Sequence, residues 1–393
     1  MSAAPLAGLL VVDLSRLLPG PLAARLLADL GARVVKIEEP RLGDPVRLAP
    51  PLVEGESALG SMLLAGVESV ALDLKKDGAR EVLLALLGRA DVLLDAFRPG
   101  TLERLGLAPA ALAERFPRLV HCSLTGWGGA GPWAGRAGHD LTYQAAAGTL
   151  AATAAMPAAP WADIAGAWSA VAAILAALVE RARTGRGARV EASLYDAALH
   201  SNLLAWAEEA DRPHAVGEPL ALTGGLACYG LYPSADGVPI ALAGLERHFW
   251  LRFCAAAGAP GLRRLHLRRD AAARAAVAAV IAARPAAEWE VLAAAHDLPL
   301  EPVRSAGEAA ADPRAHRGVL GRDPAGLPRL AFPARFDGTR PCAGVAAPGL
   351  GAGTERVLAE IGAEVPARRR RIAGVGPRFS LRRLLARWLM KPS

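Results

Sequence analysis

The chain has 393 residues, 53% of them hydrophobic and 21% charged, a composition typical of a compact soluble protein with two or three domains. Its net charge of +7 does not indicate nucleic-acid binding, because residues 368–393 hold eight Arg, one Lys and no acid, which leaves 7 − 9 = −2 for the remainder. Four scattered cysteines argue against a zinc site and a disulfide scaffold, and favour a reducing, cytoplasmic location.

The first third of the chain alternates between strand-like and helix-like segments. LLVVDLS and RVVKIEE are short apolar runs, and PLAARLLADLG between them has helical spacing, with a start near Pro21 and a stop at Gly31. This alternation predicts an α/β fold with a mostly parallel sheet. Because ligands bind beyond the carboxyl ends of such strands, DAFRPG and SLTGWGG are the segments where we expect a site.

The middle of the chain predicts a long Ala-rich helix from Asp163 to Glu180 and a second helix over SLYDAALHSNLLAWAEEA. The apolar part of the first, WSAVAAILAALVERA, is too short to cross a bilayer. CYGLYPSADGVPIALAG predicts a hairpin, and three helical segments follow, as in a smaller α+β domain. The predicted domains are 1–215 (large), 216–330 (small), 331–366 (a return segment packing on the large domain) and 367–393 (a basic amphipathic tail).

The two ends of the chain differ in composition. MSAAPLAGLLVVDLS lacks a charged start, so we expect no signal peptide. SLRRLLARWLM places Leu and Trp on one helical face and Arg on the other. We interpret it as a helix docking on the body of the protein, with a membrane surface or a partner helix as the alternative.

Several cofactor and catalytic motifs are missing. Glu38 ends the second strand as in a dinucleotide site, but the preceding turn, SRLLPGPLA, has no G-x-G-x-x-G, which excludes nicotinamide or flavin binding. The sequence also lacks a phosphate-binding G-x-x-x-x-G-K-[ST], a G-x-S-x-G elbow and an H-E-x-x-H pair. ATP use, serine hydrolysis and metal-dependent hydrolysis are therefore disfavoured.

Six stretches, in this order, resemble the CaiB/BaiF family, also called family III CoA-transferases, which includes the α-methylacyl-CoA racemases. They are LLVVDLSRLLPGPLAARLLADLGARVVKIEEP, ADVLLDAFRPGTLERLGL, SLTGWGGAGP, AGHDLTY, ILAALVERARTGRG and ALAGLERHFW. The resemblance covers about residues 6 to 362. It implies a Rossmann-like large domain, a smaller second domain, an interlocked homodimer, and an acyl-CoA thioester substrate. It also implies no metal and no prosthetic group, coenzyme A entering only as part of the substrate.

Two chemistries share one cleft in this family. In the racemases, the resemblance implies that His139, supported by Glu246, faces one side of the thioester α-carbon and that Asp163 faces the other. Inversion needs two such bases on opposite faces, and a His and a carboxylate can both be tuned close to neutral pH. The transferases use the equivalent of Asp163 as a nucleophile that carries CoA as an aspartyl thioester. The joint presence of all three residues favours the racemase chemistry.

Some of these residues also have a purely structural interpretation, and others are expected to contact CoA. Asp163 alone would be the N-cap of the long helix, and His121 in RLVHCSL a satisfied core histidine. LLAGVESVALDL lacks the basic cluster that the family carries there, so we assign CoA contacts to Lys36 and Arg98. Tyr143 would pack on the pantetheine arm or belong to the core, and Asp140 would orient the loop. The missing cluster and the basic tail also leave open a non-catalytic binding or scaffold protein.

Overall fold

The computed structural model describes residues 4–313, 318–344 and 346–363. The predicted amphipathic tail lies outside these residues. The described strands are β1 (Leu10–Asp13), β2 (Arg33–Glu38), β3 (Leu52–Val53), β4 (Glu56–Ser57), β5 (Glu68–Ala71), β6 (Val92–Asp95), β7 (Val120–Thr125), β8 (Arg189–Ser193), β9 (Tyr229–Pro233), β10 (Pro239–Ala243), β11 (Leu300–Pro302), β12 (Leu320–Arg322) and β13 (Pro328–Leu330).

The described α-helices are α1 (Pro19–Asp29), α2 (Ala58–Leu64), α3 (Ala79–Leu87), α4 (Thr101–Arg104), α5 (Pro109–Arg115), α6 (Asp140–Ala146), α7 (Trp161–Thr184), α8 (Leu194–Ser201), α9 (Leu203–Glu209), α10 (Arg247–Ala256), α11 (Ala271–Ile281), α12 (Ala286–His296), α13 (Ala306–Ala311) and α14 (Thr354–Glu360). Short 3₁₀ turns occupy Pro45–Leu48, Ala221–Thr223 and Pro260–Leu265.

These elements form two compact units. The larger holds the described residues up to Tyr143, the stretch Pro160–Ala198 and the described residues from 318 onwards. The smaller holds Gln144–Ala159 and residues 199–313.

A six-stranded parallel sheet, in the order β5-β2-β1-β6-β7-β8, forms the centre of the larger unit. Val12, Val35 and Leu93 on its central strands are fully buried, which explains why these strands appear as unbroken apolar runs. The strand order reverses direction between β1 and β6. A ligand crevice forms at such a switch point, beyond the carboxyl ends of the two strands. The predicted α/β class and parallel sheet are confirmed.

Helix α1 begins two residues before the predicted start. Pro19 occupies its first position, where a proline loses no hydrogen bond because that N–H would have no partner in the helix. Gly31 adopts a φ of +101° just after the end of the helix, which confirms the predicted stop.

Helix α7 is longer than predicted, with 24 residues from Trp161 to Thr184. It is long and apolar enough to cross a membrane, so the expectation that its apolar part is too short was wrong. However, Ala162, Ala167, Ala170 and Ile174 are fully buried, and the helix packs on α1 and the parallel sheet. The core helix of a soluble protein has these same properties.

The smaller unit confirms the predicted hairpin, formed by β9 and β10, with β11 as a third antiparallel strand. Helices α10, α11 and α12 supply the predicted helical segments. Trp250, Phe253 and Trp289 are fully buried in its core. Both indole N–H groups donate to backbone carbonyls, of Leu262 and Ile281, so neither buried donor lacks a partner.

Candidate active site

The carboxyl edge of the parallel sheet carries the loop that leads from β7 to α6. His139 immediately precedes α6 and is exposed. Its carbonyl oxygen accepts the N–H groups of Thr142 and Tyr143, and its own N–H donates to Thr142 Oγ1 at 3.0 Å. The imidazole has no hydrogen bond or ion pair with another described residue of the larger unit. The backbone of His139 is fixed while its ring stays available to a substrate.

Asp163 lies in the first turn of α7, two residues after the helix begins. The prediction that it is the N-cap was wrong, since Pro160 holds that position and makes no side-chain cap. Instead, the backbone N–H of Asp163 donates to Asp140 Oδ1 at 3.0 Å. Because Asp140 follows His139 directly, this hydrogen bond brings the two predicted proton-transfer residues to neighbouring backbone positions.

The carboxyl group of Asp163 has an unusual proton affinity. Burial, and next the negative charge of Asp140, raise its pKa from 3.8 to about 7. The positive end of α7 favours the ionised form, but burial and the neighbouring carboxylate outweigh it. Asp163 is therefore suited to exchange a proton at neutral pH.

Tyr143, one turn into α6, is a buried wall of this region. Its ring packs edge-on against Trp127, with centroids 4.8 Å apart. Two glycines allow this approach: a Cβ on Gly126 would lie 2.2 Å from the phenol oxygen, and one on Gly138 would lie 2.5 Å from the ring. Burial and then the charge of Asp163 raise the pKa of Tyr143, whereas Arg98 lowers it. Tyr143 is thus close to both.

Two exposed cations flank this wall. Arg98 lies in the loop after β6, and its guanidinium has no ion pair with a described residue of the larger unit. Arg136 lies over the rings of Trp127 and Trp133, with its guanidinium carbon 5.0 and 5.6 Å from their centroids. Such stacking holds a cation in place without neutralising it. Arg136 was not predicted from the sequence, although the loop GWGGAGPWAGR contains both Trp and Arg.

The loop after β1, at the other side of the switch point, contains a strained residue. Leu17 has a φ of +69°, a left-handed conformation that is costly for a bulky side chain and is common at functional sites. Its N–H donates to Asp44 Oδ1 at 2.9 Å, which helps to hold this conformation. No sequence pattern signals it.

Lys36 has a different role from the predicted one. It is completely buried, and its ammonium donates to Asp13 Oδ2 at 3.0 Å and to the Ser15 carbonyl at 2.7 Å, with Asp44 as a second ion-pair partner at 3.1 Å. Burial opposes its charge, but the two carboxylates outweigh this and raise the pKa of Lys36. It ties β2 to the loop after β1 and has no donor available for a CoA phosphate.

Glu246 belongs to the smaller unit, where it is the N-cap residue of α10. Its carbonyl oxygen accepts the N–H of Trp250 at 3.1 Å. The side chain is exposed and makes no capping hydrogen bond. Its carboxylate is therefore not used within α10, and its support of His139 stays a prediction.

His121 is only partly satisfied, contrary to expectation. Its Nε2 lies 2.8 Å from Asp95 Oδ2, whereas Nδ1 is buried without a partner. Ser123 Oγ donates to the same carboxylate oxygen at 2.8 Å. The other oxygen of Asp95 accepts the N–H of Phe97 at 3.0 Å. This buried cluster therefore anchors the loop that presents Arg98.

Comparison with known proteins identifies relatives of this chain and structures that share its fold. The model of CoA-transferase family III matches residues 6–354. The chain is 32% identical over 324 residues to the acetyl-CoA:oxalate CoA-transferase of Acetobacter aceti, covering 78% of this chain and 82% of that one. It is 35% identical over 256 residues to the human α-methylacyl-CoA racemase, covering 62% and 63%. A crystal structure of a CAIB/BAIF family protein from Brucella suis superposes with a TM-score of 0.81 at 29% identity, covering 92% and 100%.

Proposed function

The chain belongs to CoA-transferase family III, and on that premise we propose that it is an α-methylacyl-CoA racemase in which His139 and Asp163 exchange the α-proton of the thioester. The observation that carries this proposal is the environment of Asp163. Its carboxyl has a pKa of about 7, and a hydrogen bond ties its backbone to the residue beside His139. A group whose pKa lies near neutral pH can donate and accept a proton equally well.

The chemistry proceeds in two steps. Ionised Asp163 removes the proton from the α-carbon, and the electron pair of the C–H bond moves into the thioester to give an enolate. Protonated His139 then donates a proton to the opposite face, which inverts the centre. In the reverse direction the two residues exchange roles. The positive end of α7 would stabilise the enolate oxygen.

CoA affinity in this proposal rests on Arg98 and Arg136. Both are exposed, and one guanidinium group can bind two phosphate oxygens at once. The segment without the expected basic cluster is part of the core, since Leu63, Leu64, Ala65 and Val67 are all buried.

Chiral analysis of the product tests the racemase. One enantiomer of a 2-methylacyl-CoA is incubated without any free acid, and the optical purity of the thioester is followed with time. We expect the wild type to racemise it and both His139→Ala and Asp163→Asn to lose at least about 100-fold in kcat. Asp270→Asn, which changes a helix cap in the smaller unit, serves as the matched control. Retained optical purity with the wild type would contradict the proposal.

Transfer of CoA to a free acid is the second candidate. It is favoured by the transferase relative, which covers more of this chain than the racemase does. Here Asp163 attacks the acyl carbon and expels CoA thiolate, leaving a mixed anhydride. The thiolate then attacks the aspartyl carbonyl, releases the acid and leaves an aspartyl thioester. A mass increase equal to bound CoA on the peptide containing Asp163 would support this candidate over the racemase.

We also propose that the protein is a homodimer of the cytoplasm. Helix α7 leaves Trp161 55%, Trp168 36% and Val179 65% exposed, and large apolar side chains on one helix indicate a covered surface. Light scattering after gel filtration should give a mass twice that of the chain, and Val179→Glu should reduce this mass to that of a single chain.

A titration that detects no CoA binding would instead favour the scaffold hypothesis.

A further inference from the structure

Asp140 lies between the two proton-transfer residues of the proposed function. It directly follows His139 in the sequence and begins α6. Its Oδ1 accepts the backbone N–H of Asp163 at 3.0 Å, across 23 residues of sequence. One carboxylate therefore joins the start of α6 to the start of α7.

This hydrogen bond replaces a cap that α7 lacks. The N–H of Asp163 is one of the four at the start of a helix that have no acceptor inside it. Pro160, the N-cap residue, has no side-chain acceptor to offer. Asp140 supplies that acceptor from another helix. This side chain therefore holds the backbone of Asp163 near that of His139.

We propose that Asp140 is a positioning residue, which holds Asp163 at a fixed place relative to His139 so that both can reach the same α-carbon from opposite faces. The inference rests on the proposed racemase function. Asp140 also acts by charge, because its carboxylate is the second cause, after burial, of the raised pKa of Asp163. Tyr143 is a further titratable group close to Asp163, and Arg98 acts on Tyr143.

Two substitutions separate position from charge. Asp140→Asn keeps an oxygen that can accept the N–H of Asp163 and removes the negative charge. Asp140→Ala removes both. We expect Asp140→Asn to keep kcat within about 3-fold of the wild type and to move the pH profile of α-proton exchange to lower pH. Asp140→Ala should move the profile in the same direction and lose about 100-fold in kcat with little change in KM, because a displacement of about 1 Å has such an effect.

The control is Asp270→Asn, because Asp270 caps α11 by accepting the N–H of Ala273 at 2.9 Å and lies in the smaller unit. Its pH profile should coincide with that of the wild type. A structural role alone would lower the stability and activity of the Asp140 variants without moving their profiles, and that result would overturn the inference. Circular dichroism shows whether Asp140→Ala is folded. If it is not, the pH profile of Asp140→Asn still tests the inference.

A second measurement needs no activity. The carboxyl carbon of Asp163 is titrated by NMR in ¹³C-labelled protein, and its signal is assigned by its loss in Asp163→Asn. Asp140→Asn should lower the pKa of Asp163, and an unchanged pKa would refute the proposed role. A wild-type protein without α-proton exchange would refute the racemase function, whereas the NMR shift would still decide whether Asp140 tunes Asp163.

Discussion

Replacing Asp163 with Asn should stabilise the protein, and the gain should grow with pH. The pKa of Asp163 rises from 3.8 to about 7 on folding, so between these values the folded state binds a proton that the unfolded chain releases. The wild type therefore loses stability as pH rises through this window and stays level above it. At 1.36 kcal/mol per pKa unit, the carboxyl costs the folded state about 2 kcal/mol at pH 5 and roughly 4 kcal/mol at pH 8. The neutral amide avoids this cost.

Urea unfolding of the two proteins at pH 5 and pH 8 measures the difference. The stabilisation by Asp163→Asn at pH 8 should exceed that at pH 5 by about 2 kcal/mol. Asp196→Asn is the matched control, because Asp196 also lies in the first turn of a helix, α8. Equal gains at both pH values, or a loss of stability in Asp163→Asn, would refute the argument that burial beside a second carboxylate raises the pKa of this group.

Three further results follow from the site. Arg98→Ala and Arg136→Ala should each raise KM for acyl-CoA roughly 10-fold or more and leave kcat nearly unchanged, since a charge-assisted hydrogen bond contributes about 1.5–3 kcal/mol. Steady-state kinetics measures both constants, and a fall in kcat would contradict the assignment of these residues to CoA binding. Lys36→Met should lower the free energy of unfolding by about 3–5 kcal/mol by leaving two buried carboxylates unpaired, and a stable variant with weak CoA binding would restore Lys36 as a ligand contact. Gly126→Ala should lower the free energy of unfolding by about 1–3 kcal/mol. In the double variant, Tyr143→Phe should restore part of this loss, because it removes the hydroxyl that the new methyl group would meet. Strictly additive effects of the two substitutions would count against the close contact.

The alternation of strands and helices could be predicted because it depends on local patterns. Apolar runs such as LLVVDLS and RVVKIEE form buried parallel strands, and the Pro and Gly at the ends of α1 act through their own backbone geometry. The switch point follows from strand order, which the sequence does not contain. Its location beside DAFRPG could still be anticipated, since the carboxyl ends of parallel strands share one edge.

The errors concern features that depend on the packed structure. Lys36 is surrounded by apolar strand residues, and only the fold brings Asp13 and Asp44 to its ammonium. The acceptor for an N–H group at the start of α7 is Asp140, which lies 23 residues earlier. Arg136 is held by two indole rings, and the left-handed φ of Leu17 has no sequence signature. Long-range contacts decide the cases of Lys36, α7 and Leu17.

Deuterium uptake at the α-carbon is the most direct test of the central claim, that Asp163 and His139 move the α-proton of an acyl-CoA. The protein is incubated in D₂O with a 2-methylacyl-CoA and no acceptor acid, and the thioester is analysed by mass spectrometry. We predict incorporation of one deuterium at the α-carbon by the wild type and none above background by Asp163→Asn or His139→Ala. A wild type that incorporates no deuterium, yet transfers CoA once a free acid is added, would contradict the account and leave His139 as a residue of the cleft wall.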